Sequence, residues 1–409
     1  MIRREAERTI KNINETFRVL LVTGPRQVGK TTLLKEFMPQ NMNYVTLDDE
    51  ILREKAKKDP KLFLEEHPWP LLIDEAQYAP ELFPYIKIIV DNEKKRGMYW
   101  LTGSQQFKLM KNVKESLAGR VGIVRLNSLT YSEINNNLNK EIFNPTDLKK
   151  IKKIDVNELF ETIYKGGMPE LYDVEKMNRN NYFDGYINTY LARDIKDLIN
   201  INDSNLFQKF MVSIASHTGE QLNYSSIANE VGISDKTVKS WLDVLVSSGI
   251  VYLLQPYMSS KLKRITHMPK IIFMDTGLCS YLAGWDSARN LQLSSSSGHY
   301  LETYIISEII KSYNAIGEEP NISYYRDKDK NEIDLIFYRN NKIFPFEIKK
   351  TAMPNESMIK TFYKLEDSGK EVGSGGIICF YDELMHLNEK HYIIPISSVI
   401  NISKSNDLM

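Results

Sequence analysis

Residues 24–31 of this chain read Gly24-Pro25-Arg26-Gln27-Val28-Gly29-Lys30-Thr31, and they lie between an apolar segment and the helix-forming sequence 32–37. This is the pattern GxxxxGK[ST] between a strand and a helix, which predicts a phosphate-binding loop. Glycines let the backbone curl around a phosphate, so that N–H groups and the positive end of the helix face the anion. We expect the loop from Gly24 to Thr32 to bind ATP, with Lys30 at the β- and γ-phosphates and the Thr31 hydroxyl on Mg²⁺.

Acidic residues end a second apolar strand. Leu71-Leu72-Ile73 is followed by Asp74 and Glu75, and carboxylates at the end of a buried strand are costly unless they are used. We predict that Asp74 holds the Mg²⁺ shell through water and that Glu75 polarises the attacking water as general base.

A third strand, Met98–Leu101, leads into Thr102 and Ser104. Its polar end would place one of these hydroxyls near the γ-phosphate. For each residue, a strand-end turn without a catalytic role is the alternative.

Alternating strands and helices over the first 130 residues predict a parallel α/β sheet. The predicted strands are Phe17–Val22, Asn43–Leu47, Leu71–Ile73, Tyr99–Thr102 and Ile123–Leu126. From about Tyr131 the pattern becomes helical, and the run Ser294–Ser297 followed by Gly298 predicts a linker before a second α/β region. We expect four units, at residues 1–135, 136–215, 216–285 and 286–409.

The composition excludes several classes of protein. The chain has 409 residues, 42% of them hydrophobic, and its 53 basic residues balance 53 acidic ones. That hydrophobic content argues against disorder, and the apolar runs are shorter than the roughly 20 residues of a membrane span. Two cysteines and the absence of a secretory segment predict a cytoplasmic protein. Zero net charge argues against a wholly basic nucleic-acid coat.

Residues 223–249 predict two helices around a turn at Gly232, the second capped by Ser234 and closed by Gly249. The second helix has one apolar face, formed by Val238, Trp241, Leu242, Leu245 and Val246. Since Ile250–Leu254 offers a β wing, the unit looks like a winged helix, which can enter a major groove. DNA contact and protein contact both stay open, because no base-reading Arg or Asn is obvious on the second helix.

A second group of candidate residues lies near the C terminus. The Glu302 carboxylate falls on the apolar face of a predicted helix, which a solvated Glu would avoid. Asp334 lies on one predicted strand, and Glu347 and Lys349 share a face of the next. If these faces coincide, the hairpin can hold a second Mg²⁺ or Mn²⁺ and support phosphodiester cleavage. The alternative is an amphipathic hairpin with a charged solvent face.

These motifs resemble the AAA+ type of P-loop ATPase, in the prokaryotic group that joins an AAA domain to a DUF4143 region. The matching pieces are Gly24–Thr31, Leu71–Gln77, Leu101–Ser104, Ser116–Arg120, Gly166–Pro169, Tyr190–Asp194 and Glu302–Lys349. The resemblance implies that the strand before the loop neighbours the Ser104 strand, and that a helical lid follows. It also implies Arg120 as a trans-acting arginine finger, hence a homo-oligomer, and Gly167–Pro169 as a lid signature near the nucleotide. A surface salt bridge and a helix-ending turn are the respective alternatives.

The C-terminal group resembles the PD-(D/E)xK nuclease superfamily. Asp334 and Glu347-x-Lys349 match its core, and Glu302 matches its upstream helical acid. Ile333 stands where the superfamily usually has proline. The resemblance implies a restriction-endonuclease-like α/β domain, although an intact site need not be an active one.

Two functional hypotheses follow. In the first, the chain is an ATP-hydrolysing protein that acts on DNA or another nucleic acid, with a nuclease-like C-terminal domain. In the second, ATP turnover controls protein partners and the terminal domain is an inactive scaffold. Filled metal positions favour the first hypothesis, and the lack of a basic tract favours the second. Neither hypothesis involves a membrane.

Overall fold

The computed structural model describes residues 2–103, 113, 115–138, 141–151, 153–191, 204–257 and 268–401. Its amino-terminal part is a parallel five-stranded sheet in the order β2-β3-β4-β1-β5. The strands are β1 (Val19–Thr23), β2 (Asn43–Thr46), β3 (Leu71–Asp74), β4 (Tyr99–Gly103) and β5 (Val121–Arg125). The helices are α1 (Glu7–Thr16), α2 (Lys30–Phe37), α3 (Glu50–Lys58), α4 (Pro60–Glu66) and α5 (Leu82–Glu93). The predicted strands are confirmed with ends shifted by one or two residues, and β1 neighbours β4 as the resemblance implied.

Both faces of the sheet are covered. All five residues of β1 are buried; Leu20 and Val22 pack in one core, whereas Val19 and Leu21 pack in the core on the opposite face. A strand buried on both faces has a continuous apolar sequence, which is why it was recognisable. The carboxyl ends of the parallel strands open at one edge, where the candidate nucleotide residues meet.

A helical region follows the sheet. Its helices are α6 (Tyr131–Ile134), α7 (Val156–Lys165), α8 (Glu170–Asp173), α9 (Arg179–Gly185) and α10 (Ser204–Ser216), with a wider helical segment at Tyr186–Leu191. Thr130 and Glu133 form a reciprocal capping box at the start of α6. The predicted helical character is confirmed from Val156 onward for the described residues, whereas the described residues between Ile134 and Val156 form no helix.

The third region consists of two helices and a small antiparallel sheet. These elements are α11 (Tyr224–Val231), α12 (Asp235–Ser247), β6 (Val251–Leu254) and β7 (Lys270–Phe273). Gly232 has a φ of 84° between the helices, and the Ser234 hydroxyl accepts a hydrogen bond from the Thr237 N–H at 3.1 Å. Both predicted helices and the turn are therefore confirmed, whereas the sequence had not indicated β7.

The C-terminal region joins helices to a mixed seven-stranded sheet, ordered β13-β14-β12-β10-β9-β8 with β11 beside β10. Its helices are α13 (Thr276–Leu282), α14 (Ala288–Leu293), α15 (Ser297–Ala315) and α16 (Ser397–Ile400), with a 3₁₀ segment at Glu356–Ser368. Its strands are β8 (Ile322–Arg326), β9 (Glu332–Arg339), β10 (Lys342–Ile348), β11 (Glu371–Val372), β12 (Gly376–Cys379), β13 (Met385–His386) and β14 (Tyr392–Pro395). Asn340 and Asn341 both have positive φ, as the two-residue turn between β9 and β10 requires.

The serine run was wrongly predicted to be a linker. Only residues 294–296 connect α14 to α15, and Ser297 and Gly298 already belong to α15. The hydroxyl of Ser294 donates to the Leu291 carbonyl and that of Ser297 to the Ser294 carbonyl, both at 2.8 Å. Serine serves helix ends as well as flexible linkers, so composition alone was misleading.

One hydrophobic core runs from the first sheet through α15 into the C-terminal sheet. The Tyr131 N–H of α6 donates to Glu308 of α15 at 2.7 Å, and the Ser132 hydroxyl donates to the Ile400 carbonyl at 3.0 Å. The four-unit division stays a prediction, since these contacts join the units closely. Among the described residues, none of the helices is both long and apolar enough to cross a bilayer.

Candidate functional site

The loop between β1 and α2 packs closely against the backbone that follows β5. A Cβ atom at Gly24 would lie 1.9 Å from the Leu126 carbonyl oxygen, so this position requires glycine. Gln27 and Gly29 have φ angles of 56° and 86°. Left-handed residues within such a turn direct backbone N–H groups into a concave anion site. The conformation is therefore the one that the motif predicted.

Lys30 is buried within the loop and 6% exposed. Its Nζ donates to the carbonyl oxygens of Gly24 at 3.0 Å and Pro25 at 2.7 Å. The loop thus holds the ammonium over its own backbone, where an anion bound by the loop would meet it.

Arg4 contacts the other side of the loop through hydrogen bonds. Its guanidinium donates to the carbonyl oxygens of Val28 and Asn127, both at 2.6 Å, and to Glu133 Oε1 at 3.1 Å. Sequence reasoning missed this residue, because its partners are 24 to 129 residues away.

Asp74 and Thr31 meet as predicted for a Mg²⁺ site. Asp74 Oδ1 accepts hydrogen bonds from the Thr31 hydroxyl at 2.9 Å and from the Thr102 hydroxyl, and Oδ2 accepts one from Tyr44 at 3.2 Å. Burial and the Asp74 charge raise the pKa of Tyr44 to about 12, so its hydroxyl stays a donor. Hydroxyl and carboxylate oxygens are ligands that Mg²⁺ prefers, so this donor set fits the ion.

Glu75 lies directly beyond the strand in a left-handed conformation, with a φ of 54°. The Gln77 side chain donates to Glu75 Oε2, and the buried Gln77 thereby orients the predicted base. Burial and the charges of Glu75 and Asp74 raise the pKa of Asp48, which places that carboxyl beside the site. Gln77 and Asp48 were not singled out from the sequence, although Gln77 follows Glu75 by only two residues.

The charge of Arg26 opposes the rise in the pKa of Asp48. Arg26 Nη2 donates to the Tyr78 hydroxyl at 3.3 Å. Ser104 lies outside the described residues. Of the two hydroxyls predicted at the end of β4, it is Thr102 that the structure locates at Asp74.

Arg120 lies at the opposite edge of the sheet, immediately before β5. Its Nε and Nη2 donate to the two carboxylate oxygens of Asp91 at 2.6 and 2.7 Å, and Arg18 pairs with the same carboxylate. The hydrogen bonds from Arg120 lower the pKa of Asp91. Within one chain Arg120 makes the salt bridge that was the alternative, and a role in trans would require it to leave this pair.

A cavity of about 380 Å³ lies beside the loop, between Arg4, Gln27, Thr32 and Pro169. The segment that was predicted to be a lid is held there through its backbone. The Leu129 N–H donates to the Gly167 carbonyl at 2.7 Å, and the Gly167 N–H donates to Asp275 at 2.8 Å. The predicted lid signature therefore does border the cavity next to the phosphate-binding loop.

The hairpin β9–β10 brings the second predicted group together. Lys349 Nζ lies 3.0 Å from Asp334 Oδ2 and 2.6 Å from Glu347 Oε2. Burial and the Asp334 charge raise the pKa of Glu347 to about 9. Burial opposes ionisation of Asp334 too, but Lys349 and Lys270 hold its pKa below the ordinary value.

Glu302 joins this group through two residues that the sequence analysis did not identify. Lys270 Nζ lies 2.5 Å from Glu302 Oε1 and also pairs with Glu332. Burial raises the pKa of Glu302 to about 8. Period-two alternation could have revealed Glu332, since it shares a strand face with Asp334; nothing local marks Lys270.

We call Glu302, Glu332, Asp334 and Glu347, with the cations that pair with them, the C-terminal centre. Carboxylate oxygens of Glu302, Glu332 and Asp334 lie within 4.8 Å of one another, a donor set that fits a hard divalent ion. The four carboxyls face three cationic side chains, Lys270, Lys349 and Arg326. With all of these groups ionised the centre would carry one excess negative charge, and the raised pKa values of Glu302 and Glu347 favour proton uptake.

Three family models match the chain. An AAA domain matches residues 16–135, a Domain of unknown function (DUF8612) matches 156–289, and a Domain of unknown function (DUF4143) matches 297–399. Uncharacterized proteins of Mycobacterium tuberculosis and Mycobacterium bovis are each 28% identical over 359 residues, which cover 87% of this chain and 75% of theirs.

Two solved structures are similar in part. The Thermotoga maritima RuvB Holliday junction branch migration motor covers 62% of this chain and 90% of its own, with 16% identity and a TM-score of 0.30. The Pyrococcus horikoshii STAND protein with a tetratricopeptide repeat sensor covers 77% of this chain and 47% of its own, with 14% identity and a TM-score of 0.26. The loop, the parallel sheet and the two matched domains support an AAA+ P-loop ATPase of the family that joins an AAA domain to a DUF4143 domain.

Proposed function

We propose that this chain binds ATP with Mg²⁺ in the cytoplasm and hydrolyses it at the loop Gly24–Thr32. ATPase function is the general property of its family. The observation that carries the residue assignment is the convergence of Lys30, Thr31, Asp74 and Glu75 at the carboxyl ends of β1 and β3.

Each of these side chains has one task in the proposed reaction. Lys30 would leave its loop carbonyls to bind the β- and γ-phosphates, and Thr31 and Asp74 would hold Mg²⁺, which neutralises charge on the phosphates. Glu75, oriented by Gln77, would accept a proton from the attacking water. The cavity bordered by Arg4 and Pro169 adjoins the loop, which supports binding of the base there.

Replacing Lys30 tests this assignment. Lys30→Ala removes the cation inside the loop and should weaken ATP binding by about 100-fold or more in calorimetric titrations. Lys61→Ala, an exposed lysine on α4, is the matched control and should bind as wild type. Unchanged affinity of Lys30→Ala would refute the nucleotide site.

We also propose that Arg120 completes the site of a neighbouring copy. Arg120 lies at the amino ends of the strands, whereas its own phosphate-binding loop lies at their carboxyl ends. This position supports action on the loop of another chain rather than on its own. Turnover per chain should then rise with protein concentration, and mixing Arg120→Ala chains with Lys30→Ala chains should recover part of it. Failure of the mixture to recover activity would leave Arg120 as a structural partner of Asp91.

For the C-terminal centre we propose metal-dependent action on nucleic acid. Asp334, Glu347 and Lys349 lie within direct contact, and Glu302 reaches the same group from α15. Oxygen ligands would hold Mg²⁺ or Mn²⁺, and Lys349 would position the attacking water. The α11–α12 unit with its β6–β7 wing is the element that we propose contacts the duplex.

Cleavage and binding are tested separately. With Mn²⁺, wild type should nick labelled DNA, Lys349→Ala should not, and the neighbouring Lys350→Ala should. Binding to duplex, single-stranded and RNA ligands should weaken steeply with salt, because phosphate contacts release counterions.

The second candidate is a regulatory switch acting on protein partners, with an inactive C-terminal scaffold. The observation that favours it is burial: Glu302, Asp334 and Glu347 are only 4–7% exposed, and each pairs with a lysine of the chain. This candidate predicts intact ATP turnover with no cleavage of any nucleic acid and no salt-dependent binding.

A further inference from the structure

Lys270 is a buried lysine that the proposed chemistry does not use. It begins β7, is 1% exposed, and reaches out of the α11–β7 region into the C-terminal centre. Its ammonium lies 2.5 Å from Glu302 Oε1, pairs with Glu332, and lies 5.3 Å from the centre of the Tyr324 ring. These partners keep it a cation, and burying an ammonium this deeply is tolerated only with such pairing.

The carboxylates that hold Lys270 are also those that could hold a metal ion. Glu302 and Glu332 are two of the three acids whose oxygens lie within 4.8 Å of one another, and Asp334 is the third. An ammonium and a divalent ion on the same two carboxylates would repel each other strongly in a buried setting. Metal binding through all three acids therefore requires Lys270 to withdraw.

We propose that Lys270 is the resident cation of the C-terminal centre and competes with a divalent metal ion for Glu302 and Glu332. The inference rests on the proposed metal-dependent function and adds a mechanism that regulates it. While Lys270 is in place, the centre binds a metal ion weakly; when β7 shifts and Lys270 withdraws, it binds the ion more tightly.

The connections of β7 indicate what could shift it. Asp275, just beyond the strand, accepts hydrogen bonds from the Gly167 N–H at 2.8 Å and the Leu278 N–H at 2.9 Å. Gly167 belongs to the lid segment that borders the cavity beside the phosphate-binding loop. β7 thus carries Lys270 and leads to Asp275, which binds the predicted lid. A lid movement that depends on nucleotide would therefore shift Lys270 in the C-terminal centre.

The experiment measures Mn²⁺ binding by calorimetry on the full chain without nucleotide. Lys270→Gln keeps hydrogen bonding to Glu302 and Glu332 but removes the charge, whereas Lys270→Arg keeps the charge. Lys270→Gln should bind one Mn²⁺ at least about tenfold more tightly than wild type, and Lys270→Arg should match wild type. The double variant Lys270→Gln, Asp334→Asn should lose the gained affinity. Mn²⁺ binding that remains in the double variant is assigned to other sites, including the nucleotide site, and is subtracted.

Two negative results have different meanings. If wild type and Lys270→Gln bind Mn²⁺ equally at a site that depends on Asp334, the competition is refuted and the metal centre survives. If no protein binds Mn²⁺ in a manner that depends on Asp334, the proposed metal function falls, and the competition with it. Should Lys270→Gln fail to fold, refolding in Mn²⁺ decides: rescue supports the competition, and no rescue overturns it.

Discussion

The nucleotide site and the C-terminal centre differ in the groups that pair with their carboxylates. At the loop, Asp74 is held by neutral hydroxyls of Thr31, Thr102 and Tyr44. At the C-terminal centre the carboxyls are paired with ammonium groups, Lys270 and Lys349. A carboxylate held by hydroxyls can accept a metal ion by exchanging hydrogen bonds, whereas Glu302 and Glu332 must first lose the buried Lys270. We therefore expect the nucleotide site to bind its metal ion readily, and the C-terminal centre to bind one weakly while Lys270 is in place.

The largest expected effect is at the nucleotide site. Glu75→Gln keeps the shape and the hydrogen bond with Gln77 but removes the base, so ATP turnover should fall by about 10² to 10⁴ while ATP binding persists. Steady-state turnover and calorimetric binding measure the two separately. Turnover at the wild-type rate would mean that another group, such as Asp48, activates the water.

A second prediction distinguishes two carboxyls of the C-terminal centre. Asp334→Asn removes the charge that compensates Lys349 and Lys270 and should destabilise the fold by about 3 kcal/mol. Burial and the Asp334 charge raise the pKa of Glu347 to about 9, which favours its protonated form at neutral pH. Glu347→Gln therefore resembles the native state and should cost less than about 1 kcal/mol. Urea unfolding at pH 7 compares them, and equal losses would show that both carboxyls are ionised.

A third prediction connects the two sites. If β7 couples them, Lys270→Gln should change ATP affinity by about two- to tenfold, because coupling between sites is reciprocal. Lys239→Gln, exposed on α12, is the control. Identical ATP affinity in both variants would mean that the sites work independently.

The smallest expected effect is a pH dependence of stability that arises at His217. The His217 ring nitrogens lie 2.8 Å from Glu220 and 3.0 Å from Glu230, and Glu220 also faces His299 at 4.0 Å. Burial would lower the pKa of His217, but the two glutamates raise it. A raised pKa contributes stability that is complete below the unfolded value and is lost as pH rises through the folded value. Wild type should thus lose more stability than His217→Gln between pH 6 and 8, by under about 1 kcal/mol in urea unfolding.

Local patterns made the nucleotide site predictable. Gly24 to Thr31 are adjacent in sequence, and Asp74 follows an apolar strand that any fold of this type places beside the loop. The same locality explains the helices around Gly232 and the turn at Asn340-Asn341. Arg4 was missed because its three partners come from distant parts of the chain, so no spacing reveals them.

The sequence therefore predicted the parallel sheet and the phosphate-binding loop, and it identified Glu302, Asp334, Glu347 and Lys349 as residues that would converge if two strand faces coincide. Each of these features is marked by a hydrophobic period or a motif spacing within a short stretch of sequence. Only the folded chain reveals that Lys270 enters the C-terminal centre, 32 residues from Glu302 in sequence. A lysine that begins a short strand has no local pattern that sets its partner, and the pairing arises because β7 packs against α15. Long-range packing, rather than residue type, thus determines whether the acids of this centre face a metal ion or a lysine.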